Sequence, residues 1–370
     1  MKKIVLTGGG TAGHVTPNIA LIPALQKEGY DVHYIGSYNG IEKKLLEDLN
    51  IPYYGISSGK LRRYFDVKNF QDPFKVVKGY TQASKLLKKL KPDVVFSKGG
   101  FVTVPVVLAA KRRGIPTIIH ESDITPGLAN KICIPCANKI CANFPETLTH
   151  LPSGKAVITG TPIRQDLFQG SRERGLEFTG LTEEKPILLV IGGSLGSAAI
   201  NEAVRTALPE ILKKFQVIHL CGKGKVYDSL IGTPGYVQYE YIQDELCDLL
   251  SLADAVISRA GANVICELVA LHKPNILIPL PAASSRGDQI LNAESFRKQG
   301  FSHVILEENL TKETLLAGID EILNNKIEYI ESMKLNTARD SIKLIIDLIN
   351  EQCGNTSKSE EKELSEDKEK

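Results

Sequence analysis

The residues best placed to do chemistry lie in two glycine-rich segments about half a chain apart. Near the N-terminus an apolar run, Lys3-Ile4-Val5-Leu6-Thr7, leads into Gly8-Gly9-Gly10-Thr11-Ala12-Gly13-His14. Beginning at Pro186, a second apolar run leads into Gly192-Gly193-Ser194-Leu195-Gly196-Ser197. A glycine turn between a buried strand and a helix lets backbone N–H groups approach an anion at the positive end of the helix. His14 follows directly on the first turn. At the start of a helix a histidine is held toward its neutral form, and a neutral imidazole beside a substrate accepts a proton. The same position suits a capping or packing histidine equally well. No Asp-x-Asp pair is present to hold a sugar nucleotide through a divalent metal. A diphosphate bound here would draw its positive potential from helix N-termini and an arginine, with Arg164 and Arg259 as candidates.

Other motifs compete for these residues. Gly8-x-Gly10-x-x-Gly13 matches the dinucleotide fingerprint, which also needs an acid at the end of the second strand to hold a ribose. That strand ends Ile35-Gly36-Ser37-Tyr38-Asn39 with no acid until Glu42, so a nicotinamide site is not expected. Gly192-x-Ser194-x-Gly196 matches a nucleophile elbow, and Asp244 or Asp254 followed by His272 satisfies a hydrolase order. A hydrolase leaves the first glycine turn without a purpose, and Ser194 reads better as a donor to an anion. Cys133-x-x-Cys136, with Cys141 and His120 nearby, lacks a second such pair and sits among Ile132, Ile134 and Ala137. Core packing is favoured there over zinc, and neither a metal nor a cofactor is expected.

Both turns require a scaffold that returns strand ends repeatedly to one edge. Further strand patterns fall at 32–36, 94–96, 117–120 and 139–142, then at 216–221, 255–258, 276–279 and 304–306. Helical stretches such as 17–28 and 41–49 lie between them. The alternation predicts an α/β chain with two doubly wound, Rossmann-like parallel-sheet domains facing a cleft. The expected divisions are 1–162, 163–340, a helix at 341–354 placed to return to the first domain, and a charged, disordered tail at 355–370. At 370 residues each half is long enough for its own core.

Composition narrows the class. Seven cysteines without paired spacing, and no leader before the first strand, indicate a reducing, cytosolic setting. No apolar run approaches the roughly 18 residues of a membrane span. A net charge of +2 argues for no nucleic-acid partner, yet 60–91 alone carries +8. In that stretch Arg62, Arg63, Lys75 and Lys78 alternate with Phe65, Phe70 and Phe74, a mixture that suits an anionic membrane surface. From 84 to 90 the helical spacing of Leu86, Leu87 and Leu90 reads as core instead.

Taken in order and spacing, GGGTAGHVTP, SKGGFVTVP, HESDITPGLANK, TGTPIR, GGSLGSAAIN, ISRAGANVICELVALHKPNILIPLP and DQILNAESF resemble the MurG family of peptidoglycan glycosyltransferases. The resemblance spans residues 1 to about 350. It implies a GT-B architecture, with an acceptor- and membrane-facing first domain and a UDP-sugar-binding second. The implied donor is UDP-N-acetylglucosamine. The implied acceptor is undecaprenyl-pyrophosphoryl-N-acetylmuramyl-pentapeptide (lipid I), and the implied place is the cytoplasmic face of the cell membrane. By position, the donor-binding residues it implies are Thr11, Ala12, Gly13, Asp123, Arg164 and Ser194, with Ile242 beside the uracil. Ala262, Asn263, Val264 and Glu267 match the segment around the nucleotide, Gln289 matches the residue that reads the sugar, and His14 matches the base. Three positions depart from the family pattern. Ala12 stands for a glycine, Asp123 for an asparagine, and Thr161 for the asparagine of Gly-Asn-Pro. Other GT-B transferases, a UDP-N-acetylglucosamine 2-epimerase and a non-catalytic donor-binding protein are the alternatives.

Overall fold

The apolar runs of the first half form a seven-stranded, wholly parallel sheet in a computed structural model. The structure describes residues 1–59, 72–193, 195–335 and 340–366, with backbone alone at 72–73 and 355–366. The chain divides into one unit of Met1–Arg164 plus Asp340–Lys370, and a second of Gln165–Arg339.

In the first unit the elements run β1 (Lys3–Thr7), α1 (Thr16–Lys27), β2 (Asp31–Ser37), α2 (Ile41–Leu45), β3 (Tyr53–Ile56), α3 (Asp72–Leu90) and β4 (Val94–Ser97). They continue with α4 (Thr103–Arg112), β5 (Thr117–Glu121), α5 (Leu128–Cys133), β6 (Lys139–Ala142) and β7 (Ala156–Ile158). The sheet order is β3-β2-β1-β4-β5-β6-β7. Helices cover both faces, so the central strands are apolar at almost every position. The two-residue period divides them: Ile4 and Leu6 pack with Leu21 and Leu25 of α1, while Val5 and Val95 pack with Leu87 of α3 and Val106 of α4.

The first of those faces is completed from the far end of the chain. A last helix, placed after the second unit, supplies Ile345, Ile346, Ile349 and Cys353 to the same cluster as Leu21 and Leu25. Each such apolar side chain contributes about 1.5–3 kcal/mol by leaving water. Tyr30 Oη–H donates to Asn350 Oδ1 at 2.6 Å, and Lys139 pairs with Glu351 at 3.5 Å.

The second unit runs α6 (Arg172–Thr179), β8 (Ile187–Ile191), α7 (Ala198–Lys214), β9 (Gln216–Leu220), β10 (Tyr236–Tyr239), α8 (Leu246–Leu252) and β11 (Ala255–Ser258). It ends with α9 (Ala262–Ala270), β12 (Asn275–Leu277), α10 (Asp288–Lys298), β13 (His303–Val304), α11 (Lys312–Asn324) and α12 (Lys326–Lys334). The returning helix is then α13 (Ser341–Glu366), which continues past residue 354 through much of the stretch expected to be disordered. Its sheet is also parallel, in the order β10-β9-β8-β11-β12-β13. Leu188 and Val190 pack with Ile200 and Val204 of α7 and Ile319 and Ile322 of α11.

Several expectations are corrected. The helix foreseen over 41–49 breaks after Leu45 and resumes as a 3-10 turn, Glu47–Leu49, ended by Asn50 in the left-handed region. β3, β7 and β10 were not foreseen, and β13 is shorter than 304–306 and begins a residue earlier. Cys133 and Cys141 lie in the core, where burial pushes both thiols up to about 12.

Candidate functional site

Parallel strands present all their carboxyl ends at one edge, and ligands of open α/β sheets gather there. In the first unit that edge carries the glycine turn after β1, the Lys98-Gly99-Gly100 turn after β4 and the Ser122-Asp123 segment after β5. His14 is not in the first turn of α1, as the sequence had implied. It closes a separate 3-10 turn, Ala12–His14, and α1 begins at Thr16 with Pro17 behind it. The imidazole Nδ1 lies 3.2 Å from the Lys98 carbonyl oxygen. A carbonyl only accepts, so Nδ1 carries the hydrogen and the lone pair of the neutral ring falls on Nε2. Beside it, Gly99 sits at φ +96, which favours glycine, and His14 Nδ1 and Asn130 Oδ1 each lie 3.5 Å from where its Cβ would be.

Lys98 is buried, and its ammonium donates to Ser122 Oγ. Burial and this nearby charge together drive the pKa of His120 well down, so His120 is a neutral ring bonded through Nε2 to the Gly160 carbonyl at 2.8 Å. Glu121 accepts Asp123 N–H at 3.0 Å, Gly127 N–H at 3.0 Å and Asn130 Nδ2–H at 2.8 Å. Burial outweighs those donors and pushes its carboxyl up. Glu121 therefore sets the course of the segment bearing Asp123. The sequence showed this glutamate only as part of a motif.

The first glycine turn differs from expectation in another way. Gly10 N–H donates to Glu42 Oε2 at 3.2 Å, and Gly9 N–H reaches the Gly99 carbonyl at 3.4 Å. These donors are engaged within the chain. Thr11 and Gly13 are exposed and Ala12 is half-buried on the following turn. Arg164 ends the first segment of the unit, half-buried.

In the second unit the glycine turn is held by its neighbours. A Cβ on Gly196 would collide with the Cys221 carbonyl, and one on Gly192 would come within 2.5 Å of Ser197 N. Ser197 caps α7 by accepting Ile200 N–H at 3.3 Å. Lys225 Nζ–H donates to the carbonyls of Leu195 and Gly196 at 2.9 and 3.3 Å. Ser194 itself lies outside the described residues. Across the edge, α9 follows Gly261, whose lack of a side chain leaves no side-chain cap on that helix. Its half-exposed positions are Asn263, Val264 and Glu267, three and four residues apart on one face, and Ala262 is buried. Ile242 is half-buried after β10, on a different strand end. Gln289, on α10, accepts Leu280 N–H at 3.1 Å through Oε1, so its NH2 end is the one turned to other acceptors.

Arg259 is a candidate the structure reassigns. Its Nη1 donates to the carbonyls of Ile278 and Pro279 at 3.0 and 3.3 Å, and its Nη2 to Ser197 Oγ at 2.6 Å while pairing with Glu307. It ties the ends of β11 and β12 to the cap of α7.

Residues 4–142 match the glycosyltransferase family 28 N-terminal domain, and 187–349 match the family's C-terminal domain. The chain belongs to glycosyltransferase family 28. Within it, a protein of Lachnoclostridium phytofermentans is 67% identical over 351 residues, covering 95% of this chain and 99% of that one. It is named UDP-N-acetylglucosamine–N-acetylmuramyl-(pentapeptide) pyrophosphoryl-undecaprenol N-acetylglucosamine transferase. A crystal structure of Acinetobacter baumannii MurG superposes with a TM-score of 0.73 at 28% identity, over 95% of this chain and all of that one. The UDP-GlcNAc 2-epimerase of Methanocaldococcus jannaschii, at 17% identity and a TM-score of 0.65 over 95% of this chain and all of that one, shares the fold. The two parallel-sheet units are those of the GT-B fold.

Among the described residues no helix is long and apolar enough to cross a membrane. Of the basic-aromatic stretch, Arg62, Arg63, Phe65 and Phe70 lie outside the described residues. On α3, Phe74 is 78% and Val77 65% exposed, in line with Lys78 and flanked by Lys75. Arg113, at the end of α4, donates to Ser84 of α3 at 3.0 Å, which joins Lys111-Arg112-Arg113 to that helix.

Proposed function

We propose that this chain is an inverting transferase that moves N-acetylglucosamine from UDP-N-acetylglucosamine to the 4-hydroxyl of the N-acetylmuramyl group of lipid I, giving lipid II and UDP. The observation that carries the reading is the relative of that name at 67% identity across nearly the whole of both chains. In the mechanism, the acceptor oxygen attacks C1 of the donor sugar from the face opposite the diphosphate. The bond from C1 to the diphosphate oxygen breaks as the new bond forms, and the acceptor proton passes to a base. His14 fits that part, because its Nδ1 bond to Lys98 leaves Nε2 as the basic nitrogen. The departing diphosphate is stabilised by Arg164 and by the backbone and Ser194 hydroxyl of the second glycine turn. Glu267 accepts the two ribose hydroxyls, with Ala262, Asn263 and Val264 along the nucleotide and Ile242 against the base. Gln289 donates its NH2 to a sugar hydroxyl. Thr11, Ala12, Gly13 and Asp123 complete the donor contacts.

Turnover of radiolabelled donor tests the reading. Label should pass to lipid I and not to diacylglycerol, and no epimer should form when acceptor is omitted. Glu267→Ala should weaken UDP itself, as well as the full donor, by about 1.5–3 kcal/mol, since a charge-assisted pair of hydrogen bonds is lost. Titration calorimetry with UDP reads this directly. An unchanged affinity would move the ribose elsewhere.

The protein works as a peripheral protein on the anionic, cytoplasmic face of the cell membrane. Supporting this, Phe74 and Val77 put apolar surface beside Lys75 and Lys78 at the start of α3. Replacing Arg62, Arg63, Lys75 and Lys78 with glutamine should weaken binding to anionic vesicles by about 1 kcal/mol per charge, most at low salt. Activity on a soluble short-chain acceptor should survive. Vesicle co-sedimentation that does not change would make this stretch ordinary surface.

A further inference from the structure

Glu42 is a fully buried carboxylate at the start of α2, and it lies against the first glycine turn. Its Oε2 accepts Gly10 N–H at 3.2 Å. Its Oε1 accepts both Ser37 N–H at 2.8 Å and Ser37 Oγ–H at 2.5 Å. Three glycines leave room for it. A Cβ on Gly9 would come within 2.6 Å of the carboxylate carbon, one on Gly36 within 2.8 Å of Glu42 Cγ, and one on Gly40 would run into both carboxylate oxygens. In a glycine turn that binds nucleotides, such an N–H meets a ligand's phosphate. Here the anion is supplied by the next strand–helix unit of the same sheet.

We propose that Glu42 is the resident anion of the first glycine turn, standing where a bound phosphate would, and that it positions the segment from Gly10 to His14. Resting on the transfer reaction proposed above, this makes Glu42 a positioning residue and leaves Gly10 N–H with no part in holding either substrate's diphosphate. The turn is clamped from two sides. On one side is the Glu42 carboxylate. On the other, Gly9 N–H bonds the Gly99 carbonyl, and Gly100, having no Cβ, lies against the Gly9 carbonyl. The second clamp belongs to the Lys98–Gly100 turn, which also orients the His14 ring through the Lys98 carbonyl. Release of the first clamp lets Gly10–His14 move relative to the second, and a displacement of about 1 Å at a reacting group can cost about 10²-fold in rate.

Glu42→Ala and Glu42→Gln in the full chain test this. For Glu42→Ala, kcat should fall by about 10²-fold while Kd for UDP stays unchanged. Formate, small enough for the vacated space, should raise the thermal midpoint of Glu42→Ala saturably and restore part of its kcat, and should do neither to the wild type. Glu42→Gln keeps the volume but must turn an amide NH2 toward the Gly10 or the Ser37 donor, so its kcat should fall without rescue by formate. Wild-type kcat in either folded variant overturns the proposal, as does formate that stabilises Glu42→Ala without restoring turnover. If Glu42→Ala does not fold, Glu42→Gln decides: full turnover refutes, and reduced kcat with unchanged UDP affinity supports. A wild type that transfers no sugar would sink the reaction itself, and the formate-dependent thermal shift of Glu42→Ala would still report whether the site holds an anion.

Discussion

His14→Ala is expected to lower turnover by about 10²–10⁴-fold while leaving donor affinity nearly intact. The loss should appear in kcat, because a base acts only as the acceptor hydroxyl gives up its proton. His14 is fixed through Nδ1 by the Lys98 carbonyl, so the ring keeps one tautomer and its basic nitrogen one direction. Rate against pH provides a second measurement. A histidine base must be neutral to act, so wild-type rates should fall on the acid side, and His14→Gln should remove that limb. Asp123 is the rival, a carboxylate on the segment that Glu121 holds after β5. An undiminished rate in His14→Ala, together with an inactive Asp123→Asn, would transfer the role to Asp123.

Arg259→Met should destabilise the second unit by about 3 kcal/mol, the low end for breaking a buried ion pair by removing one partner. The low end applies because the Glu307 side chain retains 24% exposure against 12% for Arg259. The substitution strands the Glu307 carboxylate and removes a donor from the Ile278 and Pro279 carbonyls. Urea unfolding followed by a probe in the second unit measures the loss. Glu307→Gln on top of Arg259→Met should recover part of it, since the stranded charge is gone. Stability unchanged by Arg259→Met, with UDP affinity lost, would return Arg259 to the phosphate-binding role its sequence position had suggested.

Central strands were the easiest part of the molecule to read. β1, β4, β6, β8 and β11 are apolar at nearly every position because helices cover both of their faces, and such runs stand out against turns. β3, β7 and β10 were missed for the complementary reason. They lie at the sheet edges with mostly half-buried residues, so no hydrophobic period marks them. Of the candidate site, the two glycine turns were legible because close backbone approach and positive φ call for glycine. The partners of Glu42 and Arg259 were not legible. They lie 32 and 62 residues away, at Gly10 and Ser197. A glutamate framed by Gly36 and Gly40 was a usable signal, because small neighbours mark a side chain that must be accommodated. Lys98 gave none, since one lysine in a short motif does not reveal that it will be buried.

The return of α13 to the first sheet has a consequence for how the chain is made. The ribosome delivers β1 to β7 first, yet Ile345, Ile349 and Cys353, which complete the covering of Leu21 and Leu25, are synthesised only after the whole second unit. The interrupted unit must therefore wait, with part of its apolar face uncovered, while the contiguous 165–339 emerges. A nascent chain stalled before residue 341 should present that face to holding chaperones, and its release should coincide with emergence of the last helix rather than with completion of the first sheet.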